Sequence, residues 1–474
     1  MSQVRRHARI VGWGKYVPPT VLTNEDLTHM LDTTDEWIRS RTGIAERHTA
    51  SPKESVSTMA VRAAQQALEV ANCDPATIDL IIVATVTPDY MFPASACLVQ
   101  DALAARHAGA FDLSAGCSGF VYGLAMAADG IAAGSYNTAL VIGAETLSRV
   151  VDWADRSTCI LFGDGAGAVL LQASDKPSGV LSTVLGSDGS GGDLLMLPHS
   201  GYREPPSSES RSENLPHLKM NGNEVYRFAT RIMGTVAQQA IQKAGLTLDQ
   251  IDLLIPHQAN LRIIQSAAKH LKLPEDKVFV NLEKYGNTSA ASVPIALCEA
   301  VEAGKLAPGN ILVLAAFGAG LTWAAAVVRW DPLSVEAKSS RWTAFMRALR
   351  LRFAPLRSGT HRVQRRLDGM LGGLLGDTEA PREKKQRAGS SKQQAESSKQ
   401  LTAGSKPDAA GSQPQAASSA PEAGGSKQLT AGAAPEATGA KQEAAGSEPE
   451  EPAGQATTEA PKGEATTDMP KAEA

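Results

Sequence analysis

Cysteine is scarce and unpatterned in this chain of 474 residues: Cys73, Cys97, Cys117, Cys159 and Cys298 show no CxxC and no paired spacing. That excludes a zinc framework and a disulfide scaffold, and fits a reducing compartment. Excess basic charge is lacking too, with 46 Lys and Arg against 50 Asp and Glu for a net charge of −4. No bulk positive field therefore argues for nucleic acid. No apolar run reaches the roughly 20 residues needed to cross a bilayer. Residues 1–6 lead into a strand-like segment (Ala8 to Trp13) without the apolar core of a signal peptide. The expected setting is the cytoplasm. From Asp377 to Ala474 aromatic residues are missing entirely, and branched aliphatics almost so. Ala, Gly, Ser, Pro, Lys, Glu and Gln cannot bury enough surface to offset ordering entropy. Residues 377–474 read as a disordered low-complexity tail, in which Ser-Lys-Gln-Leu-Thr-Ala-Gly occurs at 398–404 and again at 426–432.

Between this tail and the rest lies a basic extension, 332–376. Arg341, Arg347, Arg350, Arg352, Arg357, Arg362, Arg365 and Arg366 alternate there with Trp342, Phe345, Met346, Leu349, Phe353 and Leu356. Such an amphipathic helix suits an anionic lipid surface or an acidic partner; the plainer reading is a solvated extension.

The remaining chain carries near-continuous apolar runs (Leu80 to Val83, Ala139 to Ile142, Ile311 to Leu314). Runs of this kind belong to sheets covered on both faces, and helical-period segments such as Ser57 to Val70 supply the cover. The chain also repeats itself. Ala67 to Ala71 followed by Ile78 to Ile82 aligns without gaps on Ala240 to Ala244 followed by Ile251 to Ile255. Ala139 to Ile142 falls on Ile311 to Leu314 at nearly the same offset. Two similar halves, 1–175 and 176–331, are expected to face each other across shared central helices, giving a five-layered α/β/α/β/α stack.

Three motifs carry chemistry. Cys117 sits in Asp112-Leu113-Ser114-Ala115-Gly116-Cys117-Ser118-Gly119-Phe120, a strand ending in a small-residue turn before a helix. A thiol at a helix N-terminus is placed where free N–H groups and the dipole favour a thiolate. His257, in Pro256-His257-Gln258-Ala259-Asn260, follows the Ile251 to Ile255 run and precedes a helix from Leu261. Asn287, in Tyr285-Gly286-Asn287-Thr288-Ser289, precedes another helix from Pro294. Taken singly, each has an ordinary structural reading. Together, in order, each at a strand-to-helix junction, they point to a catalytic set. Gly163-Asp164-Gly165-Ala166-Gly167 lacks the βαβ context of a dinucleotide site and reads as a structural glycine turn.

Residues 8 to 330 resemble β-ketoacyl-acyl-carrier-protein synthase III of the thiolase-like superfamily. The likeness rests on these motifs and on Asp32 to Ile38, Arg41 to Ile44, Phe162 to Ala168, Asn221 to Val225, Pro256 to Arg262 and Phe317 to Gly320. It implies a duplicated thiolase-like α/β fold and a decarboxylative Claisen condensation of an acyl-CoA with malonyl-ACP, initiating fatty-acid synthesis without a cofactor or metal. Cys117, His257 and Asn287 would be catalytic, with an oxyanion site from the Cys117 N–H and a backbone N–H within 317–320. Trp37 and Arg156 would sandwich the CoA adenine, and Arg41 would meet its phosphate. Gly222, Asn223 and Asn260 would line the pantetheine channel, and Phe317 the malonyl pocket. Arg227, Arg262 and Lys269 would form the rim for acyl carrier protein. Phe92 would cross a homodimer interface into the partner's acyl pocket. No Glu stands beside Cys117 in sequence, which argues against HMG-CoA-synthase-like chemistry. The Pro198 to His217 segment looks longer and more polar than the family's loop. Two other readings stay open: a secondary-metabolism condensing enzyme or acyltransferase using another starter, and a scaffold acting through its C-terminal extension.

Overall fold

A computed structural model describes residues 6–198, 203, 217–332 and 367. Most of the 198–217 segment, the basic extension but for Pro332 and Leu367, and the 377–474 tail lie outside the described residues.

Two sheets organise the described chain. The first comprises β1 (His7–Tyr16), β2 (Leu80–Ala84), β3 (Gly109–Leu113), β4 (Thr138–Thr146) and β5 (Asp164–Ser174), in spatial order β1-β5-β4-β2-β3. The second comprises β6 (Gly179–Ser187), β7 (Leu253–Pro256), β8 (Ile311–Gly318) and β9 (Thr322–Arg329), in order β7-β8-β9-β6. Every residue of β2, β4 and β8 is buried, as the apolar runs within them require of strands covered on both faces.

Helices supply three layers. α1 (Val56–Val70) starts at a capping box between Ser55 and Thr58, and packs with α2 (Ser95–Leu103) on one face of the first sheet, Met59 and Ala63 against Ile142 and Leu170. α4 (Gly222–Lys243) and α5 (Leu261–His270) cover the far face of the second sheet, Phe228 and Ile263 against Val313 and Val327. Between the sheets lie α3 (Gly119–Ala132) and α6 (Ser292–Glu302). Their Phe120, Leu124 and Leu297 share one core with Ile82 and Val141 of the first sheet and Ile255 and Leu314 of the second. The five-layered order is the expected one.

The repeat reaches individual hydrogen bonds. Leu80 pairs with Ala139 in parallel β2 and β4, and Leu253 pairs with Leu312 in parallel β7 and β8, both residues moved by the same 173 positions. Asp79 takes the Thr138 N–H at 3.0 Å, and Asp252 takes the Ile311 N–H at 2.8 Å. The same offset carries the 3-10 turn Gly116–Ser118, which leads into α3, onto the turn Ser289–Ala291, which leads into α6.

Two local expectations are corrected. Gly163 to Gly167 is no turn: Asp164 opens β5, and its carboxylate takes the Ser148 and Ala50 N–H groups. The glycines are there for close packing, since a Cβ on Gly167 would lie 2.7 Å from Pro294 Cβ and block the approach of α6. Asn287 follows the short helix Leu282–Tyr285 and is not preceded by a strand; an isolated bridge to Phe162 holds its backbone instead.

Because Phe120 is fully buried where both sheets meet, Phe120→Ala should cost about 3–5 kcal/mol of stability. Urea unfolding followed by far-UV circular dichroism measures this.

Candidate active site

The three motif residues are brought together by a frame they share. Cys117 lies in the Gly116–Ser118 turn at the entrance of α3, with no side chain capping that helix. Ser118 ties the turn to β9 through Thr322, hydroxyl to hydroxyl at 2.6 Å. Gly318 at the end of β8 presses on the turn so closely that a Cβ there would sit 2.4 Å from the Cys117 nitrogen. On the other side the turn packs against the Ser289–Ala291 turn, whose Ser289 hydroxyl favours the Cys117 thiolate.

His257 follows β7, its N–H donating to Ala315 O at 2.7 Å. Its Nδ1 lies 2.6 Å from Ser292 Oγ, which also accepts the Gln258 N–H at 3.4 Å. In the tautomer in which the serine donates to Nδ1, the imidazole proton sits on Nε2. Nε2 is buried and has no hydrogen-bond partner among the described residues. Phe317 stands edge-on to the ring, centroids 5.3 Å apart.

Asn287 is fixed at both ends. Its N–H donates to Leu161 O and its carbonyl accepts from Gly163 N–H. Its Oδ1 accepts the Ser289 N–H at 2.9 Å, which turns Nδ2 outward as a donor. The assembled site is a buried thiol with two N–H donors, Nε2 of His257 and Nδ2 of Asn287.

Burial sets the charges. It pushes the Cys117 thiol up to about 12, with the Glu145 carboxylate adding to the rise and the Ser289 hydrogen bond opposing it. It pushes His257 down to about 3. The helix N-terminus favours the thiolate, as expected from sequence, and desolvation between two sheets opposes it. The resting pair is thiol and neutral imidazole.

The family model for 3-oxoacyl-[acyl-carrier-protein (ACP)] synthase III matches residues 111–189, and its C-terminal counterpart matches 241–330. The chain is 54% identical over 326 residues to beta-ketoacyl-[acyl-carrier-protein] synthase III of Desulfitobacterium hafniense, covering 69% of this chain and 98% of that one. The synthase of the same description from Roseiflexus castenholzii is 51% identical over 324 residues, 68% of this chain and 98% of that one. This chain belongs to the β-ketoacyl-acyl-carrier-protein synthase III family. The crystal structure of 3-oxoacyl-[acyl-carrier-protein] synthase III from Aquifex aeolicus superposes with a TM-score of 0.64 at 47% identity, covering 68% of this chain and all of that one.

The other residues that the resemblance singles out lie on several elements. Trp37 and Arg41 stand on the helix Asp35–Thr42. The Arg156 guanidinium lies 5.1 Å from the Trp37 ring centre and that of Arg41 lies 5.3 Å from it, so the place between Trp37 and Arg156 is closed here. Asn260 caps α5 through Oδ1 to Arg262 N–H, and its Nδ2 donates to Arg41 O at 3.0 Å. Arg262 itself reaches Ser40 O at 2.8 Å. These bonds fasten the Trp37 helix to the loop that carries His257. Gly222, Asn223 and Arg227 are exposed at the start of α4, with Arg227 paired to Glu224. Lys269 is exposed in the last turn of α5. Phe92 is 80% exposed, far from being a core residue.

Sequence reasoning missed Ser292, Ser289 and above all Glu145. The signal for Glu145 was a lone carboxylate closing the apolar run Ala139 to Ala144.

A histidine held neutral by burial refuses the proton that the unfolded chain accepts. Its depressed pKa therefore adds stability above about 6.5 that is lost as pH falls toward about 3. His257→Asn should remove up to about 1.4 kcal/mol per pH unit from the acid-side slope of unfolding free energy. Urea titrations of both proteins across that window test it.

Proposed function

We propose that Cys117, His257 and Asn287 are the catalytic set with which this protein condenses an acyl-CoA starter and malonyl-ACP to β-ketoacyl-ACP, CO2 and CoA. The reaction is the family's, and it uses no cofactor beyond the two thioesters. One observation carries the assignment of residues: two neutral, buried N–H donors stand beside a buried thiol, with no basic side chain paired to it.

Cys117 Sγ attacks the acyl-CoA carbonyl, and CoA leaves as the acyl group becomes bound to sulfur. The oxyanion is met by the Cys117 N–H and a backbone N–H of 317–320. Malonyl thioester then places its carbonyl oxygen on His257 Nε2 and Asn287 Nδ2. These stabilise the enolate as CO2 departs, and its carbon attacks the acyl-Cys. Simple acyl transfer would leave both donors without a task.

The same reading assigns the CoA adenine to Trp37 and Arg156, with Arg156 swinging off the indole to admit it, and the phosphate to Arg41. Gly222, Asn223 and Asn260 would follow the pantetheine arm, Phe317 would wall the malonyl pocket, and Arg227, Arg262 and Lys269 would receive the acidic carrier protein. A homodimer fits the exposed Tyr90, Met91 and Phe92, at 61%, 64% and 80%, beside β3, an edge strand with one side unpaired. The halves 1–175 and 176–331 would fold as one unit, with 332–376 appended. No disulfide joins any of the five cysteines, all of which are described, in keeping with a cytoplasmic enzyme.

Intact-protein mass spectrometry after mixing with a series of acyl-CoAs tests the set. Wild type should gain one acyl group that malonyl-ACP discharges, and Cys117→Ala should gain none. His257→Ala and Asn287→Ala should still acylate yet discharge roughly 100- to 1000-fold more slowly. Acyl retained by Cys117→Ala would sink the assignment.

A further inference from the structure

Glu145, next to last in β4, is fully buried and forms no ion pair among the described residues. Its carboxylate accepts from Thr85 Oγ1 at 3.1 Å, Val86 N at 3.1 Å, Thr87 Oγ1 at 2.6 Å and Ser289 Oγ at 3.0 Å. Ser289 is the link outward: its turn, Ser289–Ala291, packs directly on the Gly116–Ser118 turn, and its hydroxyl acts on the Cys117 thiol in the sense that favours the thiolate.

The backbone at 289 makes that serine costly. Ser289 has φ +50°, and Gly116, its counterpart in the other repeat, has φ +54°. Glycine fits such a position freely, whereas a residue with a Cβ is strained there. A side chain kept against strain, in a place where the duplicate uses glycine, indicates that its hydroxyl is needed.

We propose that Glu145, acting through Ser289, holds the Cys117 proton between the two half-reactions. The proposal rests on the condensing reading above. As Sγ bonds to the acyl carbon and the C–S bond to CoA breaks, the thiol proton passes to Ser289 Oγ and the serine proton to Glu145 Oε1. CoA leaves as a thiolate and takes its proton from water. After CO2 loss, the malonyl-derived carbon bonds to the acyl carbon and the Cys117 C–S bond breaks to a thiolate. Glu145 then returns its proton through Ser289, so each turnover consumes one solvent proton in all.

Glu145 touches no reacting atom and is a positioning residue. Burial lifts its carboxyl to about 7, so the ionised and protonated forms are both accessible near neutral pH. His257, lowered to about 3, is a poor acceptor for the same proton. The ionisable groups around this hub are Cys117 and, behind Ser292, His257. Asp164 on β5 turns its carboxylate to Ser148 and Ala50, and Asp89, on the segment after Thr87, turns its own to Ser57.

The deciding variant is Ser289→Gly, which deletes the hydroxyl while keeping the N–H that holds Asn287 Oδ1. Single-turnover acylation by acetyl-CoA, read by rapid quench and mass spectrometry between about pH 6 and 9, should slow on the order of 100-fold. Its pH profile should move to higher pH, while the melting temperature holds or rises as the strain is relieved. Glu145→Gln should give the same slowing and shift, and Glu145→Asp should restore part of the rate. Wild-type acylation rates and an unchanged pH profile in Ser289→Gly would overturn the relay, as would slowing matched by a loss of stability. Absence of acylation in wild type would overturn the condensing reading itself, and the relay with it.

Discussion

Burying a polar turn between two sheets is the constraint on which this site depends. The stretch from Asn287 to Ser292 lies where water cannot reach it, so each of its polar groups needs a protein partner. Leu161, Gly163, Glu145, Gln258 and His257 supply them. One buried donor of the site is left over among the described residues, His257 Nε2. A buried donor without a partner costs about 1–3 kcal/mol. The fold bears that cost in advance, and on the proposed reading a substrate carbonyl entering the site relieves it. Preorganisation here is an unsatisfied hydrogen-bonding capacity held in place by satisfied neighbours.

The same desolvation explains why the site works with neutral groups. A thiol raised to about 12 and an imidazole lowered to about 3 leave no ion pair to screen an incoming substrate. An imidazolium would bind the malonyl carboxylate and hold back the loss of CO2. A neutral Nε2–H instead gains strength only as charge grows on the thioester oxygen, which is the condition for accelerating the step rather than tightening the ground state. The carboxylate of Glu145 is tolerated nearby because Thr85, Val86, Thr87 and Ser289 all aim donors at it.

Much of this was legible in the sequence, and the physical reasons are specific. The buried strands declared themselves through unbroken apolar runs, and the repeat through the Ile-Asp-Leu pattern whose aspartates cap parallel neighbours in both halves. Cys117 and Asn287 stood out because small residues crowd around each, and His257 because it sits where an apolar strand gives way to a helix. The glycine-rich 163–167 segment misled as a turn, since glycine there answers to the neighbouring α6 rather than to its own backbone. Glu145 escaped notice because its partner is made in space: nothing in the spacing of residues 145 and 289 tells that one hydroxyl joins them. The closed stacking of Arg156 on Trp37 was equally invisible, being a choice between two partners for one aromatic face.

The duplication gives the site its polarity. Superposed by sequence offset, Gly116-Cys117-Ser118 falls on Ser289-Ala290-Ala291, two 3-10 turns that each lead into a central helix. One turn offers the nucleophile and uses glycine where φ is positive; the other offers no nucleophile and accepts strain to place a hydroxyl there. On the proposed assignment neither half could do the chemistry alone, because Cys117 comes from one repeat and His257 and Asn287 from the other. The turns can touch only because α3 and α6 lie in one layer between the sheets. The small residues at their entrances, Gly119 against Ala290 among them, let the helices begin side by side. A bulky residue at either entrance would separate thiol from donors without altering any group that reacts. The small-residue turns that marked the motifs in the sequence are therefore part of the mechanism, as the condition for joining two half-sites into one.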